Sequence, residues 1–330
     1  MSALLTAQRR RAMLKSAMGP AIAAALADPH VTEIMVNPDG ALRLESLGTG
    51  RQDTLVRFAP DQVERIIRLV ASHARDEVHP HAPIISAELP PHQDGRTGER
   101  FEGVMPPVSP APCFSIRKPA LRVFTLKDYL AEGMITSQAA RLLEHGVAER
   151  RNILIAGGTS SGKTTFANAL LSLMADVDER VILIEDVREL QCPAQDMVAL
   201  RTRSGSVTMA DLVRSTLRLR PDRIIIGEVR GPEALDMLKA WNTGHPGGIA
   251  TVHANSALAA LFRIEQLIQE SVVTVSRQLI AESIDLIVFI SGRGSGRRIS
   301  SIASVSGLTM SGDYALTEHL SNRTPQGEIA

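Results

Sequence analysis

A nine-residue glycine-rich segment of this chain fits the phosphate-binding pattern GxxxxGK[ST] without a mismatch. It comprises Gly157, Gly158, Thr159, Ser160, Ser161, Gly162, Lys163, Thr164 and Thr165. An apolar run at residues 152–156 precedes it and a helical pattern at 166–173 follows, the strand–loop–helix order that this pattern requires. Glycines let successive backbone N–H groups surround phosphate oxygens, and the helix N-terminus attracts the same anion. We therefore predict a nucleotide site, with Lys163 at the β- and γ-phosphates and Thr164 on Mg²⁺.

Short apolar strands alternate with helical segments throughout the second part of the chain, at 152–156, 181–185, 224–227, 249–253 and 285–290. This alternation predicts an α/β fold with a doubly wound, mainly parallel sheet and reactive groups at the carboxyl ends of its strands. The first part is typical of a smaller α+β domain, with strands at 31–36, 41–44 and 55–58, a turn at 37–40 and helical spacing at 63–70. We place this N-terminal domain at 1–118, a linker at 119–132 and the nucleotide-binding domain at 133–330, with a hairpin tip at 292–296.

Two acidic clusters follow the glycine-rich loop. Glu185 and Asp186 end one apolar strand, where they either hold metal-bound water or serve as a solvated glutamate beside a helix-capping aspartate. Glu228 ends the next strand and resembles the acid of a Walker B strand, although the usual metal-side aspartate is replaced by Gly227. A carboxylate at Glu228 can orient or deprotonate an attacking water, and the alternative is a surface ion pair with Arg230.

Two histidines flank the strand at 249–253. His245 lies in the glycine-rich segment before it, and His253 lies at its end. Either side chain could donate to a γ-phosphate oxygen, or be a hydrogen-bonded residue of the core. Metal binding by these histidines is not expected, because no Cys or carboxylate spacing completes a site.

The overall composition limits the possible partners. Lys plus Arg and Asp plus Glu are 36 each, and aromatic residues are only 3%, so we expect no stable nucleic-acid binding. Cys113 and Cys192 stand alone, which favours a reducing compartment. No apolar run is long enough to span a bilayer. Residues 1–27 carry basic residues and no acid, and form either a packed first helix, a surface-binding helix or a transit segment.

Four segments together resemble the hexameric traffic ATPases of type II and type IV secretion. GGTSSGKTT resembles the family's Walker A, IEDVREL its Asp box, RPDRIIIGEVRGPEA its Walker B and TGHPGGIATVHANS its His box. The segments DPHVTEIMVNPDG and RFEGVMPPVSPAPCFSIRKP resemble its N-terminal domain, so the likeness covers most of the chain. The four-cysteine zinc motif of many type II members is absent, which favours the type IV side.

The resemblance implies a RecA-like P-loop domain, a ring of six subunits, and ATP bound with Mg²⁺. Glu228 would position water, Glu185 would assist the metal shell through water, and His253 would lie at the γ-phosphate. Arg100 and Arg117 would reach the nucleotide from the N-terminal domain. Arg201 and Arg203 would face a neighbouring subunit.

By the same resemblance, the protein would be cytoplasmic, associated with an inner-membrane channel, and would drive conjugal transfer or type IV secretion. Three alternatives remain at this point. They are a tight-adherence or type IV pilus assembly or retraction motor, a DNA-acting RecA-like ATPase, and a scaffold that binds nucleotide without hydrolysing it.

Overall fold

The computed structural model describes residues 2–90, 98–119, 123–203, 205–292 and 296–321, and the side chains of residues 12–320 within those ranges. The chain divides into two compact units, Met1–Leu121 and Arg122–Ala330. This boundary lies inside the segment 119–132 that we proposed as a linker. The second half of that segment forms helix α3 (Leu126–Ala131), whose residues Leu126 and Tyr129 are buried in the core of the second unit.

The first unit is a six-stranded antiparallel sheet packed against two helices. Its strands lie side by side in the order β3-β2-β1-β6-β5-β4, and helices α1 and α2 cover its apolar face. The elements are α1 (Ser2–Ala27), β1 (Val31–Val36), β2 (Ala41–Ser46), β3 (Gly50–Arg57), α2 (Pro60–Ala74), β4 (Ile84–Glu88), β5 (Arg100–Val104) and β6 (Cys113–Arg117).

The predicted turn at 37–40 joins β1 and β2. Gly40 has φ +73°, a conformation that glycine adopts without strain, and Asp39 Oδ1 accepts a hydrogen bond from the Ala41 N–H at 2.9 Å. Strand β3 begins five residues earlier than the predicted strand at 55–58. Its first residues are polar and exposed because β3 lies at the sheet edge, so hydrophobicity does not mark them.

Helix α1 packs on the core of its own unit. Leu14, Met18, Ile22 and Ala25 recur on one face of the helix and are buried with the sheet residues. The helix bends at Gly19 (φ +70°), which precedes Pro20. For residues 12–27 the structure therefore agrees with the packed first helix, one of the three alternatives above. The side chains of the basic residues Arg9, Arg10 and Arg11 lie outside the described part of the chain. Within the described residues, no helix is long and apolar enough to cross a membrane.

The second unit is built on an eight-stranded sheet in the order β14-β13-β12-β7-β11-β10-β8-β9. The six strands from β12 to β9 are parallel, and β13 and β14 extend the sheet in antiparallel pairs. The strands are β7 (Ile153–Gly157), β8 (Arg180–Glu185), β9 (Asp196–Arg201), β10 (Arg223–Val229), β11 (Ile249–Val252), β12 (Leu286–Ser291), β13 (Arg298–Leu308) and β14 (Tyr314–Ser321). The helices are α4 (Ser137–Ala148), α5 (Lys163–Leu171), α6 (Met209–Thr216), α7 (Glu233–Asn242), α8 (Ala257–Gln269) and α9 (Arg277–Ser283).

Helices cover both faces of this sheet, which confirms the doubly wound α/β fold. Ile153 and Ile155 of β7 pack towards α4 and α5, whereas Leu154 and Ala156 face the core that includes α6, α7 and α8. The five predicted strands all form. Strand β9 was not predicted, because it lies at the sheet edge and its residues are only partly buried. Most of the predicted hairpin tip at 292–296 lies outside the described residues.

Candidate active site

The glycine-rich loop connects β7 to α5 in the middle of the parallel strands. A β-carbon at Gly157 would lie 2.5 Å from Ser161 Oγ and 2.7 Å from the Ile290 carbonyl oxygen, so only glycine fits there. Gly162 has φ +90° and Ser160 has φ +60°, both in the left-handed region. A left-handed conformation at a serine is strained, and such strain is typical of functional loops. The loop thus joins β7 to α5 through a crowded glycine and two left-handed residues, and nucleotide binding by residues 157–165 stays a prediction.

Lys163 is the first residue of α5 and is buried. Its Nζ donates to the carbonyl oxygens of Gly157 at 3.1 Å and Gly158 at 3.0 Å, and lies 3.4 Å from His253 Nδ1. A lysine ammonium has only donors, so His253 Nδ1 is the acceptor in this contact. Thr164 and Thr165 follow Lys163 in the first turn of the helix and are half-buried.

His253 connects Lys163 to Glu228. Its Nε2 lies 2.6 Å from Glu228 Oε1, an ion-pair distance, although Oε1 accepts no hydrogen bond from the described residues. Burial and the positive charge of Lys163 lower the pKa of His253, which favours a neutral ring at neutral pH. Because Nδ1 accepts from Lys163, that neutral ring carries its proton on Nε2. Lys163, His253 and Glu228 thus form one continuous chain of contacts beside the phosphate-binding loop.

Glu228 is held from its other side by Arg230. The Arg230 Nε donates to Glu228 Oε2 at 2.8 Å, and Arg230 also lies 3.5 Å from Asp186 Oδ2. The ion pair that we considered as the alternative role of Glu228 is therefore present, but in a carboxylate that also faces His253. The pairing of β10 with β11 shifts register between Ile226 and Val229, and such an irregularity redirects side chains at a strand end.

Glu185 occupies the space beside Gly227. The two residues are neighbours on β8 and β10, and a β-carbon at Gly227 would lie only 3.1 Å from Glu185 Cγ. Glu185 is buried, and its Oε1 accepts the N–H groups of Glu189 at 2.9 Å and Leu190 at 2.8 Å. Burial raises the pKa of Glu185 to about 7 despite these two hydrogen bonds. The solvated-glutamate alternative for Glu185 was wrong, and the adjacent strand supplies a carboxylate where a Walker B aspartate is missing.

The two candidate histidines lie at opposite ends of β11. His253 follows its carboxyl end, whereas His245 precedes the strand and its Nδ1 lies 3.0 Å from the carbonyl oxygen of Pro221, before β10 begins. Parallel strands gather reactive groups at their carboxyl ends, so the structure brings only His253 to the loop.

The four candidate arginines lie in pairs. Arg100 of β5 and Arg117 of β6 are directly opposite each other in the sheet of the first unit, and Arg117 Nε is 3.9 Å from Glu33 Oε1. Arg201 ends β9 opposite Glu185, and Arg203 follows it with an exposed side chain.

Two buried polar residues that brace the central strands were not predicted: Asn152 lies at the amino ends of β7 and β11, away from the loop, and Thr251 lies beside Gly227. Asn152 is buried, and it accepts the Gly248 N–H at 2.9 Å and donates to the Ser283 carbonyl at 2.8 Å, which ties the glycine-rich segment before β11 to β7. The hydroxyl of Thr251 donates to the Gly227 carbonyl at 2.7 Å, where the β10–β11 ladder is irregular. A single polar residue beside or within an apolar strand is the only sequence signal that either one gives.

Comparison with known proteins decides the family. The model of the type II/IV secretion system protein family matches residues 17–291, which include the loop, both acidic clusters and both histidines. The chain belongs to this secretion family. A conjugal transfer protein, TrbB, of Rhizobium radiobacter is 43% identical over 319 residues, 96% of each chain. A type IV secretion system protein, VirB11, of Bartonella quintana is 33% identical over 290 residues, 76% of this chain and 80% of that relative.

A solved structure supports the fold. The pilus retraction motor PilT, solved with bound ADP, aligns with a TM-score of 0.62 at 16% sequence identity, covering 92% of this chain and 83% of that one. At this identity the likeness concerns the fold alone. It confirms our prediction of an N-terminal domain followed by a RecA-like P-loop domain.

Proposed function

We propose that this secretion-family protein is an ATP hydrolase that powers conjugal transfer or type IV secretion. The observation that carries the proposal is the continuous contact of Lys163, His253 and Glu228 beside the glycine-rich loop. These are a phosphate-binding cation, a group that can follow the terminal phosphate and a carboxylate able to orient water. The similarity to a conjugal transfer protein over 96% of each chain favours this role over that of a pilus motor.

Each side chain has a defined task in this proposal. Lys163 exchanges its contacts with the Gly157 and Gly158 carbonyls for the β- and γ-phosphate oxygens of ATP. His253 then donates its Nε2–H to the γ-phosphate, which requires that N–H to leave Glu228 Oε1. Glu228 orients the attacking water and takes its proton, which requires one of its oxygens to leave His253 or Arg230.

The residues around the loop fit a magnesium ion. Thr164 would offer its hydroxyl as a direct ligand, and Glu185 and Glu228 would accept hydrogen bonds from metal-bound water. Among the described residues no cluster of three or more His, Cys, Asp or Glu side chains could hold a metal ion. A centre held mainly by phosphate oxygens and water is common for Mg²⁺. When bound, this ion would neutralise charge that develops on the phosphates.

The proposal extends to a homohexameric ring at the cytoplasmic face of the inner membrane. Arg201 and Arg203 lie at the carboxyl edge of the sheet, where a neighbouring subunit could use their charge at its own site. Arg100 and Arg117 would add positive charge from the N-terminal domain, and hydrolysis would move one domain against the other to act on channel components.

Light scattering and ATP turnover measured over one series of protein concentrations test the ring. Turnover should rise as particles of about six subunits form, and full activity in a monomer would contradict the proposal.

ATP hydrolysis by the purified chain tests the enzymatic part. Lys163→Ala should abolish turnover while the protein remains folded, because it removes the positive charge that binds the phosphates at the start of α5 and takes no residue from the hydrophobic core. Lys239→Ala is the matched control, since Lys239 is an exposed lysine on α7 of the same unit. Unchanged turnover in Lys163→Ala would refute the assignment of the site.

A further inference from the structure

Arg297 lies directly against the phosphate-binding loop. It precedes β13, and its guanidinium occupies the space that a side chain at Gly162, the residue before Lys163, would take. A β-carbon built at Gly162 would lie 2.8 Å from Arg297 Cζ and Nε and 2.9 Å from its Nη1. None of the four motifs of the secretion family includes this residue.

The guanidinium of Arg297 lacks the carboxylate partner that several other arginines of this unit have. Arg223, Arg230 and Arg277 each face a carboxylate. Arg297 Nε is buried without a hydrogen-bond partner, and no carboxylate of the described residues forms an ion pair with Arg297. An arginine stays charged and offers five donors, so leaving it partly buried and unpaired is unfavourable.

The position of Arg297 at the start of α5 favours an anion as the missing partner, because the N-terminus of a helix attracts negative charge. The positive charge of Arg297 reaches Tyr129 of α3, where it opposes the effect of burial, which nevertheless raises the pKa of Tyr129 to about 12. Tyr129 in turn packs edge-on against Phe166 of α5, with ring centroids 5.1 Å apart. Arg297 therefore lies between α3 and the start of α5, at the end of the helix that attracts phosphate.

We propose that Arg297 is a nucleotide-binding residue that contacts the phosphates shared by ADP and ATP. The inference rests on the proposed function, because it requires the loop to bind a nucleotide. Residues of the loop before Lys163 surround the phosphates nearest the helix N-terminus, so the contact with Arg297 should strengthen the binding of both nucleotides. A planar guanidinium can form two parallel hydrogen bonds to one phosphate group, which a lysine cannot reproduce.

Equilibrium binding of ADP, ATP and inorganic pyrophosphate to the full chain tests this role. Arg297→Gln should weaken the binding of all three by about ten-fold or more, the usual effect of losing a charged hydrogen bond. Arg297→Lys should recover part of the affinity, and it remains informative if the glutamine variant does not fold. Arg298→Gln is the matched control, because Arg298 is the next residue and its side chain is exposed. It should bind all three as the wild type does.

The outcomes separate this inference from the proposed function. Equal affinity of Arg297→Gln and wild type, or a loss for ATP alone, would overturn the contact. A loss for the nucleotides with unchanged pyrophosphate binding would place Arg297 at the base or ribose and would also overturn it. If the wild type binds none of the three while remaining folded, the proposed function itself fails.

Discussion

Replacing Glu185 by glutamine should change how the stability of the second unit depends on pH. Glu185 is 3% exposed and burial raises its pKa from an ordinary 4.5 to about 7. Because the folded-state pKa is raised, its stabilising contribution is complete below pH 4.5, declines as the pH rises, and is lost once the pH passes about 7. At about 1.4 kcal/mol for each factor of ten in the ionisation constant, the loss is about 3 kcal/mol.

The glutamine variant isolates this effect. Its carbonyl can still accept the N–H groups of Glu189 and Leu190, but the side chain never ionises. The free energy of unfolding of Glu185→Gln, relative to wild type, should therefore rise by about 3 kcal/mol between pH 4.5 and pH 8. The sign is opposite to that of a carboxylate stabilised by an ion pair, whose stabilising contribution grows as the pH rises and is nearly complete above its unfolded pKa of about 4.5.

Urea unfolding followed by tryptophan fluorescence is a suitable assay. Trp241 is the only tryptophan, is 2% exposed and belongs to α7, so its signal reports the second unit alone. Glu144→Gln, which removes an exposed carboxylate of α4, should follow the wild-type pH profile. A constant difference between Glu185→Gln and wild type from pH 4.5 to pH 8 would refute the reasoning.

Two further variants test the packing below the site. Gly227→Asp should destabilise the second unit by about 1–3 kcal/mol, because the new side chain meets Glu185. Combining it with Glu185→Ala should cost less than the sum of the single changes, and strict additivity would contradict the contact. Arg223→Ala should cost about 3–5 kcal/mol, because Arg223 is buried and paired with Glu179, and its removal leaves that carboxylate without its buried partner. A loss below about 1 kcal/mol, measured by the same fluorescence assay, would show that the pair adds little.

Local patterns were sufficient where the function depends on a single segment. The loop at 157–165 carries its own geometry in its glycines, and the apolar strand before it and the helix after it are both visible in the sequence. The turn at Gly40 was predictable for the same reason. The burial of one face of α2 likewise follows from the helical spacing of Val63, Ile66 and Val70.

Contacts between residues distant in the chain determine the features that the sequence did not predict. Whether Glu185 is buried depends on β8 lying beside β10, and nothing near residue 185 specifies that order of strands. The separation of His245 from His253 likewise follows from the direction of β11 within the sheet. Arg297 is 135 residues from Gly162 in the chain, so their contact has no local signal. Strand β9 was missed because the outer face of an edge strand need not be apolar.

Phosphate release by Glu228→Gln tests the central assignment most directly. The measurement compares this variant with the wild type at saturating ATP and Mg²⁺, with ADP binding measured in the same preparations. Loss of a general base should reduce turnover by about 100-fold or more while ADP affinity is retained. Equal turnover in the two proteins, with ADP bound normally by both, would contradict the role of Glu228 in hydrolysis.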